Sequence, residues 1–249
     1  KTKYFISCTG QEGTVIPVGA MIQSNNRPLR TFQAVSVSTI SSSNWRKLSI
    51  RPIESISGKI TFEFGVSRNA TGGEVGTHEG SSSITKKMTV TSYSDAYSQM
   101  LAALQGFDAL SKFGISVSDE LDMQGNHSIV LRTAGASDSF SASLCKYITV
   151  SEVTSNIQFE STEYGSFVLA DGVITQIVTM VDGWTSCTNE IAPIKGRLTQ
   201  TDAEARTSYT NRVASRGTGT VASIVSLLYS DVDGVTLDRK STRLNSSHK

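Results

Sequence analysis

The sequence predicts an α+β protein: a mixed, β-rich core with an inserted small α+β domain and a C-terminal helix pair. Three observations lead to this prediction. Residues 171–183 alternate apolar side chains between two Asp-Gly turns, a pattern typical of a strand buried on both faces. Residues 67–83 are rich in Gly, Ser, Asn and Thr and separate early strands from a compact group of mixed elements. Residues 201–204, Thr-Asp-Ala-Glu, form a capping box that predicts the start of a helix.

Composition narrows the possible partners. The chain has 249 residues, of which 38% are hydrophobic, so it can bury a substantial core. Lys and Arg total 23 against 22 Asp and Glu, a net charge of +1. We therefore do not expect the net charge of the protein to drive binding to nucleic acid or to an anionic membrane. No apolar run approaches the roughly 18 residues of a membrane span, and the start lacks an initiator Met and a signal-peptide pattern, which favours a fragment of a longer protein.

The first informative segment is residues 10–19, Gly-Gln-Glu-Gly-Thr-Val-Ile-Pro-Val-Gly. Gly13 and Gly19 bracket a short extended piece, and Pro17 excludes a central sheet position because proline has no N–H to donate. We therefore predict an edge strand between tight turns. Period-2 alternation predicts further strands at residues 32–40, 48–53 and 60–64.

The group after the Gly/Ser-rich stretch predicts an inserted domain. Its helical stripe consists of Tyr97, Met100, Leu101 and Leu104. Ser94 is a candidate N-cap and Gly106 a stop, and we expect the stripe to pack onto the insert's own sheet. Residues 119–126 are predicted to be a polar turn. Strands are predicted at residues 87–91, 115–117, 128–131, 140–144 and 147–153.

Two helices are predicted near the C-terminus. Ala205, Tyr209 and Val213 recur every four residues after the capping box, and Arg216-Gly217 is typical of a helix end. A second stripe runs from Val221 to Leu228. The connection between them is so short that the helices are expected to fold back on each other.

The order and spacing of these motifs resemble the baseplate J-like family, structural proteins of contractile phage tails and related injection machines. The motif residues that carry the resemblance are Gly13, Thr14, Pro17, Gly19, Gly183, Trp184, Asn189, Gly196, Arg197, Asp202, Glu204, Arg206 and Gly234. Cys187 departs from the pattern, because the family usually has an aliphatic residue there. The resemblance implies a discontinuous core interrupted by an insertion, repeated copies, and contacts with other proteins of the wedge around the tail hub.

The predicted domain organisation combines these observations. It comprises a β-rich core of residues 1–56 plus 155–183, an inserted α+β domain of residues 57–154 with a Gly/Ser-rich joint at 66–86, a helical hairpin region of residues 184–237, and a tail of residues 238–249. The tail looks like a sequencing adapter translated in frame and is not expected to be part of the fold. We therefore expect the natural protein to have continued differently beyond about residue 237.

Residues with catalytic or metal-binding chemistry form no recognisable motif. The three histidines are His78, His127 and His248, and the three cysteines are Cys8, Cys145 and Cys187. The cysteines are widely spaced and are expected to be small buried residues in a reducing compartment. The acidic cluster of Asp119, Glu120 and Asp122 lacks the calcium-loop pattern and is expected to be a solvated turn. We expect no catalytic residue, cofactor, metal or small-molecule substrate.

The sequence therefore predicts a non-enzymatic structural component of a virion tail baseplate, assembled in the host cytoplasm through contacts with other tail proteins. Arg206, Arg212 and Arg216 lie off the apolar stripe and are candidate partner contacts, although a solvated helix surface explains them equally well. Two alternatives remain. A tail-associated adhesion module would bind glycan on shallow aromatic platforms, for which Trp45 and Trp184 are the available tryptophans. A cell-wall hydrolase would need paired carboxylates or a zinc site.

Overall fold

The computed structural model describes residues 1–69, 80–121, 125–196 and 201–214. The chain divides into two units, Lys1–Leu198 and Thr199–Lys249. The strands of the described residues are β1 (Lys3–Gly10), β2 (Val15–Ile16), β3 (Met21–Ser24), β4 (Thr31–Ala34), β5 (Ser38–Thr39), β6 (Lys47–Pro52), β7 (Gly58–Arg68), β8 (Ser81–Val90), β9 (Ile115–Leu121), β10 (His127–Thr133), β11 (Phe140–Leu144), β12 (Ile148–Ser161), β13 (Ile174–Ile177) and β14 (Trp184–Asn189). The helices are α1 (Tyr93–Gln105), α2 (Asp108–Lys112) and α3 (Asp202–Ala214).

The fold is mostly β, so the predicted α+β class with a C-terminal helix pair is wrong. The described residues of the first unit form a nine-stranded sheet, a three-stranded sheet of β11, β7 and β8, and a two-stranded ribbon of β2 and β5. Only α1 and α2 interrupt these strands within its described residues. The helical stripes led to the α+β prediction, whereas most buried apolar side chains of the described residues lie on strands. No helix among the described residues is long and apolar enough to cross a membrane.

The large sheet is organised around β12, the longest strand in the described residues at 14 residues. One edge of β12 pairs with β6 through its first half and with β4 at residues 159–161, while β1 pairs along the other edge. From β4 the sheet continues to β3 and β13, and from β1 it continues to β14. β12 therefore joins two arms of one antiparallel sheet.

The two arms meet again through the side chain of Asn189, which is completely buried at the end of β14. Its Oδ1 accepts hydrogen bonds from the backbone N–H groups of Val173 (2.9 Å) and Ile174 (2.8 Å), and its Nδ2 donates to Ala170 O at 2.8 Å. Its backbone oxygen accepts from Gly172 N. Six strands thus form a barrel-like ring, in the order β13, β3, β4, β12, β1 and β14.

Aromatic residues fill this ring. Tyr4 and Phe32 meet edge to face with ring centroids 5.3 Å apart, and Phe159 lies against Trp184 at 6.3 Å. The Tyr4 hydroxyl also accepts a hydrogen bond from Leu169 N at 2.7 Å, so its polar end is satisfied inside the core. Bulky rings of this kind contribute much of the apolar area buried on folding.

The predicted doubly buried strand at residues 171–183 is wrong. β13 spans only Ile174–Ile177 and pairs through its backbone with β3 at the end of the sheet order. Ile174 is buried, but Val178 is 52% exposed and Met180 is 94% exposed. The alternation of apolar residues correctly indicated an extended chain, but it could not show that a buried amide closes the other side of β13.

The predicted joint at residues 66–86 is also corrected. β7 and β8 form a long antiparallel hairpin that is paired from Gly58 and Val90 to Ser67 and Ser81. Both ends of the predicted joint are therefore strand, because serines and threonines alternate along a partner strand as readily as along a loop. Residues 70–79 of the joint lie outside the described residues.

The predicted insertion, residues 57–154, contributes to two sheets. β7, β8 and β11 form the separate three-stranded sheet, whereas β9 and β10 extend the large sheet beyond β6. The proposed boundary at residue 154 falls inside β12. α1 packs against β8 and β9 with Met100 and Leu104 buried, but it also packs against β6, which lies outside the predicted insertion. The division into core and insertion remains a prediction.

The second unit contains α3, whose capping box is confirmed. Thr201 N donates to Glu204 Oε2 at 2.8 Å and Glu204 N donates to Thr201 Oγ1 at 3.3 Å. The second predicted helix, residues 221–228, lies outside the described residues. The predicted helical hairpin region of residues 184–237 begins in the first unit with β14, which is a strand.

We predict that Asn189→Ala lowers the free energy of unfolding by roughly 3 kcal/mol or more, because it leaves two buried N–H groups and one carbonyl without their partner. Urea denaturation of the full chain measures this change. Gln176→Ala, an exposed substitution on β13, is the control and should change stability by less than about 0.5 kcal/mol. Equal effects of the two substitutions would contradict the role of Asn189 in closing the ring.

Candidate functional site

The motif segments at residues 13–19, 183–189 and 196 are far apart in sequence but all contact β1 or the turn that follows it. Gln11 N donates to Gly183 O at 2.8 Å, and the Thr185 hydroxyl donates to Thr9 O at 3.0 Å. The turn itself is held by a bond from Gly13 N to Ile40 O at 2.9 Å. Sequence spacing alone gave no information about these contacts.

Gly183 lies in a position that only glycine fills without strain. Its φ is +83°, and a Cβ atom there would clash with Thr14 Oγ1. Gly10 is equally confined, because a Cβ on it would clash with Gly183 O. The two motif segments are therefore packed backbone to backbone, which explains why small residues occur on both sides of the contact.

Gly196 makes a similar close approach at the N-terminal end of β1. Its N–H donates to the Thr2 hydroxyl at 3.1 Å, and that hydroxyl donates to Gly165 O at 2.9 Å. A Cβ on Gly196 would clash with the backbone of Lys1 and Gly165. This glycine therefore ties residues 194–196 to the start of the chain.

Trp184 is 7% exposed and donates from Nε1 to Ser186 O at 3.0 Å. Trp45 is completely buried against Phe140, with ring centroids 5.7 Å apart. Both tryptophans are thus core residues, and neither provides the exposed aromatic platform expected of the glycan-binding alternative.

The clearest candidate contact surface is an apolar strip that we call the Met–Val edge, formed by Met21, Val178 and Met180. Their exposed fractions are 42%, 52% and 94%. Met21 O accepts from Val178 N at 2.9 Å and from Thr179 N at 3.1 Å, while Met21 N donates to Thr179 Oγ1 at 2.9 Å. These bonds fix Met21 and Val178 side by side. Exposed, clustered apolar side chains are typical of protein-contact sites.

A second exposed apolar group lies on the ribbon of β2 and β5. Val15 pairs with Thr39 and Ile16 with Ser38. Val37 therefore follows diagonally on the same face as Val15, and these two valines are 50% and 61% exposed. β2 belongs to the motif segment at residues 13–19. This segment therefore contributes both the buried contact with Gly183 and an exposed apolar face of the ribbon.

The predicted partner-contact arginines fall in the second unit. Arg206 lies in α3, where its Nη2 is 2.9 Å from Asp202 Oδ2 and both side chains are exposed. Arg212 is within the described backbone of α3, but its side chain is not described. Arg216, like the motif residues Arg197 and Gly234, lies outside the described residues. Their contacts with a partner remain predictions.

A cluster of ionisable side chains that sequence reasoning missed joins α1 to the β9–β10 hairpin. The Tyr97 hydroxyl donates to Asp119 Oδ1 at 2.6 Å, and His127 Nδ1 lies 3.0 Å from the same oxygen. Asp119 and Glu120 are in β9, so the predicted solvated turn is wrong for these two residues. Antiparallel register places Asp119 diagonally opposite His127, a relation that becomes visible only once the hairpin is aligned.

The electrostatics of this cluster follow from its hydrogen bonds. The bond from Tyr97, followed by that from His127, lowers the pKa of the Asp119 carboxyl. Burial of Tyr97 and its bond to Asp119 raise the pKa of the phenol. The carboxylate therefore orients an imidazole that is 63% exposed. Such a pair can position a ligand or a proton, but its immediate role here is to fasten α1 to the sheet.

The neighbouring cavity is open and has a volume of about 910 Å³. Arg51, Glu54, Tyr93, Asn126 and His127 are among its lining residues. Among the described residues of this lining Glu54 is the one carboxylate, whereas the hydrolase alternative calls for a facing pair. Within the described part of the chain, no group of three or more His, Cys, Asp or Glu side chains is arranged to hold a metal ion.

We predict that Gly183→Ala destabilises the protein more than Gly172→Ala does. Both residues have positive φ, but a Cβ on Gly172 would meet no atom within 4 Å. Gly172→Ala should therefore lower the free energy of unfolding only by about 1–2 kcal/mol of backbone strain, and Gly183→Ala by about 1–3 kcal/mol more because of the added clash. Urea denaturation measures both. Adding Thr14→Ala to Gly183→Ala should recover part of the difference, and no recovery would contradict the proposed clash.

We predict that Tyr97→Phe makes stability less dependent on pH in the acid range. Because the folded pKa of Asp119 is lowered, its stabilising contribution is present above the unfolded pKa of about 4 and is lost as pH falls through the folded pKa. Melting temperatures between about pH 7 and about pH 3 should fall less for Tyr97→Phe than for the wild type. Tyr93→Phe, on the same helix, should retain the wild-type slope, and parallel curves for all three proteins would contradict this origin.

The comparison with known proteins adds no relative. No protein-family model matches the chain, and no curated protein matches it significantly. The resemblance to the baseplate J-like family therefore rests on the motif residues and their spacing.

Proposed function

We propose that this chain is a structural component of a contractile phage tail baseplate. In this proposal it is part of the wedge, is present in several copies, and assembles in the host cytoplasm through contacts with other baseplate proteins. The function requires rigid elements and complementary surfaces and needs no catalytic centre.

The observation that carries the proposal is the packing of the separated motif segments around β1. Thr14 in the segment of residues 13–19 lies against Gly183, the Asn189 side chain closes the ring, and Gly196 contacts the chain start. The residues on which the family resemblance rests thus pack together around the same strand. A resemblance made of unrelated chance matches would give no reason for these segments to meet.

The exposed apolar groups supply a second line of support. Methionine is flexible and polarisable, so it adapts to irregular partner surfaces, and Met180 is 94% exposed on the Met–Val edge. Placing such a side chain in water is unfavourable unless another surface covers it. A component that is buried by neighbours in an assembled particle resolves this conflict, because the particle removes the methionine from solvent.

One observation favours the adhesion alternative. A polar groove of about 460 Å³ crosses the large sheet and is lined by hydroxyl-bearing residues that include Ser49, Ser128 and Ser151. The same lining includes the charged side chains of Lys47 and Glu152. Hydroxyl and charged groups of this kind can hydrogen-bond to a hydroxyl-rich ligand such as a saccharide. None of the described residues that line this groove is aromatic, so we place this function second.

The proposal is tested by locating the protein on tail particles. We expect antibodies raised against the purified full-length chain to label contractile tails from the source of the gene at the baseplate end in gold-label electron microscopy. The physical reason is that a wedge component is present in several copies around the hub, so label should accumulate at one end of each tail.

The same antibodies after absorption with the purified chain are the control and should give no label. Label confined to fibre tips would favour the adhesion alternative. Tails without label, in a preparation whose soluble fraction contains the protein, would contradict the proposal.

A further inference from the structure

Two of the three cysteines face each other across neighbouring strands. In the antiparallel pair of β1 and β14, Cys8 lies directly opposite Cys187. Directly opposed residues project to the same face of a sheet, and both side chains are buried in the ring, with exposed fractions of 0% and 4%. The pairing is not visible in the sequence, because 178 residues separate the two cysteines in the chain.

The spacing of opposed residues suits a covalent link. Their Cα atoms are typically about 4.5–5.5 Å apart in an antiparallel pair, which is within the roughly 4.4–6.8 Å range of disulfides. Both thiols are free in this structure. Cys145, by contrast, lies beside the three-stranded sheet, where its N–H donates to Glu63 O of β7 at 3.2 Å.

We propose that Cys8 and Cys187 form a reversible cross-strand disulfide when the protein is exposed to a low-molecular-weight disulfide oxidant such as oxidised glutathione. The link joins β1 to β14 in the middle of their ladder and fixes the arm of the ring that Asn189 closes. This inference stands on strand register and burial and is independent of the proposed function.

The reaction balances as two thiol–disulfide exchanges. The thiolate of one cysteine attacks a sulfur of the oxidant, which releases one small thiol and leaves a mixed disulfide. The second cysteine then attacks the protein sulfur of that mixed disulfide and releases the second small thiol. The protein dithiol is oxidised by two electrons, the oxidant is reduced to two thiols, and the two protons from the cysteines end on those thiols.

Burial controls the rate of this reaction. Desolvation raises the pKa of the Cys187 thiol to about 12 and the pKa of Cys8 well above its ordinary value. The thiolate is the attacking species, so little of it exists in the closed ring at neutral pH. The link should therefore form quickly while the chain folds and slowly once the ring has closed.

The link should also stabilise the ring, because it connects residues at opposite ends of the first unit and restricts the unfolded chain. For a protein of this size, a typical disulfide corresponds to a rise in melting temperature of roughly 4–16 °C. A switch of this type would leave the protein adaptable under reducing conditions and lock it after transfer to an oxidising environment.

The test uses the full-length wild type with the Cys187→Ala and Cys145→Ala variants. Each protein is treated with oxidised glutathione in two ways, during refolding from denaturant and after folding is complete. Non-reducing peptide mapping by mass spectrometry identifies the linked cysteines, and circular dichroism gives the melting temperature before and after reduction. Circular dichroism also verifies that each variant is folded.

We expect a Cys8–Cys187 peptide in the wild type and in Cys145→Ala, with faster formation during refolding and a higher melting temperature that is reversed by reduction. Cys187→Ala should yield no such peptide and no shift. Links that involve only Cys145, or alkylatable Cys8 and Cys187 after both treatments, would overturn the proposal. A linked form that melts no higher than the reduced form would overturn the locking role.

Discussion

The arrangement of the first unit depends on one buried amide. Without the side chain of Asn189, the turn before β13 would still bond to β14 from Gly172 N to Asn189 O, and the Cys187 thiol would still lie 3.8 Å from Ile174 O. The N–H groups of Val173 and Ile174 would lose their partner, and the two arms that diverge from β12 would be joined less firmly. Open edges expose unpaired backbone groups and invite uncontrolled association. By accepting two N–H groups and donating to one carbonyl, a single side chain replaces a stretch of ladder and allows the aromatic core to be enclosed.

The motif glycines also help to close the ring of six strands. Gly10 and Gly183 let two backbones approach where any side chain would intervene, and Gly196 does so at the opposite end of β1. Such contacts hold the ring tightly at both ends of one strand. The exposed apolar side chains of the Met–Val edge are then presented by a fixed scaffold, which reduces the entropy lost when a partner binds. A rigid contact surface of this kind suits the proposed role in assembly.

The sequence predicted those features correctly whose contacting residues lie close together in the chain. The capping box of α3 lies within one helical turn and was predicted correctly. Of the predicted stripe on α1, Tyr97, Met100 and Leu104 are buried and Leu101 is partly buried. The cap of α1 was misplaced by two residues, because Ser92 rather than Ser94 accepts from Asp95 N. The mostly β class was missed because strand partners are distant. Nothing in the spacing of Ile174 and Asn189 indicates that a side chain bonds to a backbone across the ring.

The most direct test of ring closure is amide hydrogen exchange at Val173 and Ile174, the two N–H groups that bond to Asn189 Oδ1. In the wild type we expect both to exchange slowly, at a rate close to that of the core strand β12. In Asn189→Ala, protection of these two amides should be lost while β12 remains protected. Unchanged protection at both positions in the variant would contradict the closure of the ring by Asn189.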